Sequence, residues 1–129
     1  MYVADFETTT NINDCRVWAW GLCEIGNISN FIYGNNISSF FEKMKELSKQ
    51  QETIYFHNLK FDGEFIIYHL LKNGWCHITN EDKRPNTFQT LISDKGIFYS
   101  ITTYFKILKK KNHKIIFLDS LKLLPFKVS

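Results

Sequence analysis

The spacing of apolar residues changes near residue 37, and this change constrains the fold more than any other feature of the sequence. Residues 2–7, 16–24 and 29–33 carry strand signals: each is a short run rich in apolar and aromatic residues, and residues 16–24 alternate as a β-strand does. From residue 37 the apolar residues recur every three or four positions, as in an α-helix: Phe40, Phe41, Met44 and Leu47. The first part of the chain therefore predicts a three-stranded antiparallel meander followed by a helix.

The rest of the chain alternates between the two periods. Residues 53–57 predict a short buried strand, and residues 61–72 predict an amphipathic helix that ends at Asn73-Gly74. The other predicted features are a turn at Gly26-Asn27, a helix N-cap at Ser38 or Ser39, strands at 87–93, 97–104 and 114–118, a turn at 94–96 and a helix entered from residue 119. A meander followed by alternating strands and helices indicates an α/β fold with mixed strand directions.

Composition narrows the class of protein. The 129 residues fit one domain, and 44% hydrophobic and 16% aromatic residues favour a packed core over disorder. Three cysteines without CxxC spacing argue against a disulfide framework or a zinc site. No stretch approaches the roughly 20 apolar residues of a membrane span, and no signal-peptide pattern opens the chain. We therefore expect a cytosolic protein without a membrane partner or a small-molecule cofactor.

Two carboxylates stand close together in the first predicted strand. Asp5 and Glu7 are two positions apart, so a strand places both on the same face. Burying two unpaired acids side by side costs free energy, and a divalent cation such as Mg²⁺ removes that cost. The alternative is a strand end with two solvated acids.

A second polar segment lies at the predicted junction between the strand at 53–57 and the helix at 61–72. It contains His57, Asn58 and Asp62. Functional side chains of α/β sheets often gather at such junctions. The alternatives are structural: Asp62 as an acid at a helix N-terminus, and Asn58 as a turn or cap residue.

Charge is unevenly distributed along the chain. Residues 1–64 carry nine acids and five bases, a net charge of −4, whereas residues 65–129 carry four acids and eleven bases, a net charge of +7. The basic half includes Lys109, Lys110, Lys111 and Lys114. This distribution suits a metal-binding pocket flanked by a polyanion-binding surface, although a solvated hairpin tip explains the lysine run equally well.

Several segments together resemble the protein-primed family B DNA polymerases of phages and linear plasmids. They are DFET at 5–8, YFHNLKFDGEF at 55–65, DSLKLLPF at 119–126, and CRVWAWG, LKNGW and PNTFQTLIS between them. The first two look like the first and second motifs of that family's 3′–5′ proofreading exonuclease. The resemblance implies a ribonuclease H-like, DnaQ-type α/β domain over residues 1–129, a mixed sheet with flanking helices that is incomplete at its C-terminal end.

The resemblance also implies roles for individual residues. Asp5, Glu7 and Asp62 would be catalytic carboxylates that bind Mg²⁺ or Mn²⁺ in a two-metal site. The positions expected to handle the single-stranded DNA 3′ end or a terminal protein are Thr8, Tyr55, His57, Asn58, Phe61, Phe65, Ser120 and Leu121. The function implied is proofreading during protein-primed DNA replication in the cytoplasm of a phage or plasmid host. For the aromatic residues the alternative is core packing, which we expect for at least one of Phe61 and Phe65.

The chain departs from the family pattern in its last part. The third exonuclease motif, Tyr-x-x-x-Asp, and the polymerase domain are not found in these 129 residues. We therefore expect weak or undetectable exonuclease activity from the chain alone, with Asp119 as the late acid that could substitute. Two other readings stay open: a catalytically inactive module that binds single-stranded DNA or terminal protein, and a regulator that competes for them.

Overall fold

A computed structural model describes residues 1–9, 15–79, 82–92 and 99–120. Within these ranges, eight strands form one sheet and two helices accompany it. The elements are β1 (Tyr2–Thr8), β2 (Val17–Glu24), β3 (Asn27–Gly34), α1 (Ile37–Ser48), β4 (Glu52–Phe56), α2 (Leu59–Lys72), β5 (Cys76–His77), β6 (Thr87–Ile92), β7 (Tyr99–Lys106) and β8 (His113–Asp119). The predicted α/β class is confirmed.

The sheet has the order β3-β2-β1-β4-β8-β7-β6-β5 and mixed strand directions. Strands β1, β2 and β3 form the predicted antiparallel meander. Strands β1, β4 and β8 run parallel at the centre, and β6 and β7 continue antiparallel from β8. The carboxyl ends of the three parallel strands therefore meet at one edge of the sheet, where α/β folds commonly place functional groups.

Two predicted local features are wrong by small shifts. The turn between β2 and β3 consists of Ile25 and Gly26, because Asn27 already pairs with Glu24; Gly26 has a φ of 89°. The N-cap of α1 is Asn36, whose side chain accepts a hydrogen bond from the Ser39 amide at 2.8 Å. Ser39 lies inside the first turn of the helix.

The C-terminal half confirms the predicted strands with modest changes in their ends, and it adds the short strand β5, which had no sequence signal. Asn73 and Gly74 end α2 as predicted, with Gly74 at a φ of 84°. The predicted turn at 94–96 and all but the first two residues of the predicted helix from 119 lie outside the described residues.

Both helices contribute to one hydrophobic core on one face of the sheet. Its centre is Phe40 of α1, which is fully buried. Its ring centroid lies 4.9–6.2 Å from those of five other aromatic residues, contributed by four strands and by α1 itself: Phe6, Trp20, Phe41, Phe56 and Phe117. This cluster fixes α1 over β1, β2, β4 and β8 and so holds the carboxyl ends of the parallel strands in place.

All three cysteines are free thiols: Cys15, Cys23 and Cys76. Neither helix in the described part of the chain has both the length and the apolar character needed to cross a bilayer.

Candidate active site

Strand β1 presents its two acids on one side of the sheet, as their spacing predicts. Asp5 and Glu7 are exposed, whereas Phe6 between them is buried in the core. In the register with β2, Asp5 lies opposite Gly21 and Glu7 lies opposite Ala19. Small neighbours on β2 therefore leave room beside both carboxylates.

The junction between β4 and α2 places polar groups at the same edge of the sheet. His57 and Asn58 are both exposed. Asn58 has a φ of 67° and occupies the N-cap position of α2, but its side chain makes no capping hydrogen bond. Asn is one of the residues that tolerate this left-handed conformation. Its backbone therefore makes the turn, and its side chain is left available to a ligand.

Asp62 connects α2 to β1. It lies in the first turn of α2, is buried, and accepts a hydrogen bond from the backbone amide of Phe6. Phe6 lies just beyond Ala4, the last residue of β1 that pairs with β4, so the carboxylate binds the strand where that pairing ends. The second polar segment and the first thus meet, as the family resemblance implies.

The pKa of Asp62 shows that the three acids influence one another electrostatically. Burial is the largest effect and Asp5 the second, and together they raise the pKa of Asp62 to about 6. The hydrogen bond from the Phe6 amide opposes this rise, and Glu7 adds a smaller increase. A raised pKa is expected where an ionised carboxylate is buried near like charge without a cation to compensate it.

The donor chemistry of the site fits Mg²⁺ or Mn²⁺, because both favour carboxylate oxygen. The three acids are less closely grouped than the ligands of a closed metal centre. Across residues 1–9, 15–79, 82–92 and 99–120, no three His, Cys, Asp or Glu side chains are grouped closely enough to hold an ion together. Asp5, Glu7 and Asp62 are thus electrostatic neighbours and not a preformed ligand cage.

Asp119, the acid considered as a substitute ligand, has a structural contact. It is buried at the end of β8, and its Oδ2 accepts a hydrogen bond from the Leu59 amide at 3.0 Å. Leu59 is the first residue of α2, so Asp119 satisfies one of the amides that a helix N-terminus leaves unpaired. No local sequence signal could have found this contact, which joins residues 60 positions apart.

This contact predicts how Asp119 variants behave. Asp119→Ala leaves the buried Leu59 amide without its acceptor, and we expect it to lower the free energy of unfolding by about 1–3 kcal/mol. Asp119→Asn keeps an acceptor oxygen and should recover most of that loss. Urea denaturation of both variants measures this. A stable Ala variant, or loss of Mn²⁺ binding in the stable Asn variant, would contradict a purely structural role.

The positions expected to handle DNA differ in exposure: some are exposed near Asp62, and others are buried or half-buried. His57, Asn58 and Phe61 are exposed near Asp62, and Thr8 is half-buried at the end of β1. Tyr55 is buried, with its hydroxyl 3.7 Å from the Met1 sulfur. Phe65 packs against the core, which confirms that one of the two α2 aromatics has a packing role, and its ring centroid is 5.5 Å from that of Phe61. Ser120 is half-buried beside Asp119, and Leu121 lies outside the described residues.

The lysine run does not flank the carboxylates. Lys109, Lys110 and Lys111 are exposed in the connection between β7 and β8. Strand β8 runs parallel to β4 and spans roughly 20 Å from His113 to Asp119, so the lysines lie at the opposite edge of the sheet from the acids. The expectation of a metal pocket bordered by this cluster is wrong, because sequence charge balance says nothing about which end of a strand a loop joins.

Sequence reasoning missed an aromatic wall beside the acids. A pocket of about 380 Å³ is lined by Asp5 and Glu7 on one side and by Phe31 and Tyr33 on the other. Gly21 forms part of its floor, where an added Cβ would come within 3.2 Å of the Phe31 ring. The alternation of exposed aromatics along β3 was the available signal, but the pairing of β3 with β2 was needed to place them here.

Comparison with known proteins agrees with this architecture. Residues 43–129 match the family described as DNA polymerase type B, organellar and viral. The chain therefore belongs to this family of DNA polymerases. It is 47% identical over 129 residues to the DNA polymerase of Bacillus phage Nf and 30% identical to that of Streptococcus phage Cp-1, covering 99% of the chain in both cases.

Solved structures show the same fold. The structure of Phi29 DNA polymerase complexed with primer-template DNA matches with a TM-score of 0.86 at 40% identity, over 98% of this chain and 22% of that one. Phi29 DNA polymerase complexed with single-stranded DNA matches with a TM-score of 0.84 at 41% identity. The chain spans 22% of the length of the Nf and Cp-1 polymerases.

Proposed function

We propose that the chain is the N-terminal 3′–5′ proofreading exonuclease segment of a phage DNA polymerase that acts in protein-primed DNA replication. The observation that carries this proposal is the meeting of Asp62 with Asp5 and Glu7 where β1 ends its pairing with β4. Its substrate is the 3′ end of single-stranded DNA, and a terminal protein is a second partner. Relatives of this chain bind primer-template and single-stranded DNA in solved structures, which supports the choice of substrate.

Each acid has a distinct part in this proposal. Asp5 and Glu7 offer exposed carboxylates from β1, and Asp62, in the first turn of α2, accepts a hydrogen bond from the Phe6 amide. These three carboxylates would hold Mg²⁺ or Mn²⁺. Divalent ions bound in pairs activate water and stabilise a leaving 3′ oxygen. The exposed His57, Asn58 and Phe61 orient the terminal nucleotides beside the acids.

Metal binding and strand digestion test the proposal together. Calorimetric titration with Mn²⁺ should show weak binding that Asp5→Ala abolishes, while Glu42→Ala, which removes an exposed acid on α1, leaves it unchanged. Digestion of a 3′-labelled single strand by this chain should be weak or undetectable, and any digestion seen should require the metal and disappear in Asp5→Ala/Glu7→Ala. Metal binding that persists in Asp5→Ala, or digestion that persists in the double variant, would overturn the site assignment.

The second candidate is a binding module that keeps the fold without catalysis. The observation that favours it is the loose spacing of the acids, since no three of them within the described residues are grouped to hold one ion. Metal-independent binding of single-stranded DNA, together with Mn²⁺ binding that is absent or unchanged in Asp5→Ala, would select this function.

The two α2 aromatics should respond differently to truncation. Phe61 is 49% exposed, so Phe61→Ala should leave stability nearly unchanged and weaken single-stranded DNA binding by about 1–3 kcal/mol if its ring stacks on a base. Phe65→Ala should destabilise the fold instead, because Phe65 packs against the core. Fluorescence anisotropy and thermal unfolding of both variants measure this. Unfolding of Phe61→Ala, or its unchanged DNA affinity, would remove Phe61 from the DNA site.

A further inference from the structure

One face of α2 carries an aromatic and basic stripe, mostly exposed, whose Phe65 also touches the edge of the core. Phe61, Phe65, Tyr68 and Lys72 follow the spacing i, i+4, i+7 and i+11, which aligns them along one side of a helix. The buried residues of α2 lie on the opposite side: Leu59, Asp62, Gly63, Ile66 and Leu70. Along the stripe, Phe61 is 49% and Tyr68 is 68% exposed.

The stripe changes in charge along its length. Near its beginning, the acids of the first turns of α2 lie close by: Glu64 is exposed, and Asp62 lies on the buried side of the helix, at the proposed metal site. At the other end, the Lys72 Nζ lies 5.9 Å from the centroid of the Tyr68 ring. Tyr68 and Lys72 line a pocket of about 290 Å³ with Phe65 and with Arg16, which precedes β2. An exposed aromatic face next to two cationic side chains is the composition of a nucleotide-binding surface.

We infer that this stripe binds the DNA strand upstream of its 3′ end, with Tyr68 stacking on a base and Lys72 and Arg16 facing the adjacent phosphate. The inference rests on the proposed function, because it takes the 3′ end to lie at Asp62. Single-stranded DNA is the occupant that fits both chemistries, since the cations complement its phosphates and the ring offers a face to any base. The stripe begins at Phe61, which directly precedes Asp62 in the sequence.

Helix geometry sets which nucleotide is involved. Tyr68 is six residues beyond Asp62, which is about 9 Å along the helix axis, and Lys72 is about 15 Å beyond it. A stacked strand advances about 3.4 Å per nucleotide. Tyr68 therefore contacts the third or fourth nucleotide from the 3′ end, and the terminal nucleotide lies outside its reach.

A double-mutant cycle between protein and DNA tests the stacking contact. The probe is a fluorescent oligothymidylate in which one abasic site is moved through the last six positions, with a phosphorothioate as the last linkage to slow hydrolysis. Tyr68→Ala should weaken binding of the intact strand about 5-fold or more, as should an abasic site at the third or fourth position. The two changes together should cost no more than either alone. Tyr68→Phe keeps the ring and should bind like the wild type.

The salt dependence of affinity tests the phosphate contact. Lys72→Ala should reduce the slope of log affinity against log salt by about 0.7, the value expected for one phosphate contact on a single strand. Lys109→Ala makes the same change in charge at the opposite edge of the sheet and should leave the slope unchanged. Leu71→Ala, an exposed truncation on α2 beside the stripe, controls for effects on the helix itself.

The outcomes separate this inference from the proposed function. If the wild type binds the strand while Tyr68→Ala and Lys72→Ala bind it equally well, the stripe is not a DNA surface and the exonuclease proposal stands. If both variants lose affinity but Mn²⁺ binding is absent or unchanged in Asp5→Ala, the inference stands and the binding module replaces the exonuclease. If the wild type does not bind single-stranded DNA, both are overturned.

Discussion

Replacing Asp62 with Asn should stabilise the metal-free protein at neutral pH. The pKa of this carboxyl is raised from 3.8 to about 6 in the folded chain, mainly by burial and then by Asp5. The folded state therefore binds the proton more tightly than the unfolded state does, and ionisation opposes folding. This contribution lowers stability as the pH rises from about 4 to above 6, by about 3 kcal/mol in total at 1.36 kcal/mol per pKa unit. Asn carries no charge and can accept the Phe6 amide, so we expect a gain of about 2–3 kcal/mol at pH 7.5.

Urea denaturation in EDTA at pH 4 and pH 7.5 measures this effect. The free energy of unfolding of Asp62→Asn should be higher than that of the wild type at pH 7.5. The two values should be closer at pH 4, where Asp62 is mostly protonated in the folded state. Asp82→Asn, a change at an exposed acid, is the control and should alter stability little at either pH. Mn²⁺ should then stabilise the wild type more than the variant. A variant that is destabilised equally at both pH values would contradict the buried, ionised carboxylate.

Replacing Phe40 with Ala should produce the largest loss of stability. Phe40 is fully buried and contacts aromatic rings from β1, β2, β4 and β8, so its removal leaves a cavity where α1 meets the sheet. Truncation of a buried Phe typically costs about 3–5 kcal/mol. That is a large part of the total stability of a domain of this size. We expect a corresponding fall in the urea midpoint.

Phe31→Ala is the matched control, because it removes the same atoms from a ring that is 57% exposed. It should change the free energy of unfolding by less than about 1 kcal/mol. Equal losses for the two variants would show that the aromatic cluster around Phe40 does not organise the core. A loss confined to Phe40→Ala would support α1 as the element that holds the carboxyl ends of the parallel strands together.

The predicted cost of ionising Asp62 has a functional meaning. A buried acid beside two others destabilises the metal-free fold, and the same arrangement favours any cation that enters it. Strained or destabilising groups commonly persist where they serve a function. Metal binding and stability should therefore be linked at this site, so the Asp62 variant that gains stability should also lose affinity for Mn²⁺.

Local patterns in the sequence were sufficient for most of the fold and part of the site. The strand signals before residue 37 and the period of 3.6 after it predicted β1, β2, β3 and α1, because side-chain burial follows backbone geometry within each element. The i, i+2 spacing of Asp5 and Glu7 gave their shared face. The segment containing Asn58 and Asp62 was placed correctly at a strand-to-helix junction, and the family resemblance joined it to the DFET segment.

The tertiary structure alone decided how distant residues meet. The Phe6 amide donates a hydrogen bond to Asp62, and Asp119 accepts one from the first amide of α2, 60 residues away in the sequence. Both contacts depend on the strand order of the sheet, which local periodicity does not encode. The same strand order places the lysine run at the far edge of the sheet and the aromatic wall of β3 beside the acids. Hydrophobic patterning specifies which face of an element is buried, whereas the pairing of strands across the sheet determines which side chains become neighbours.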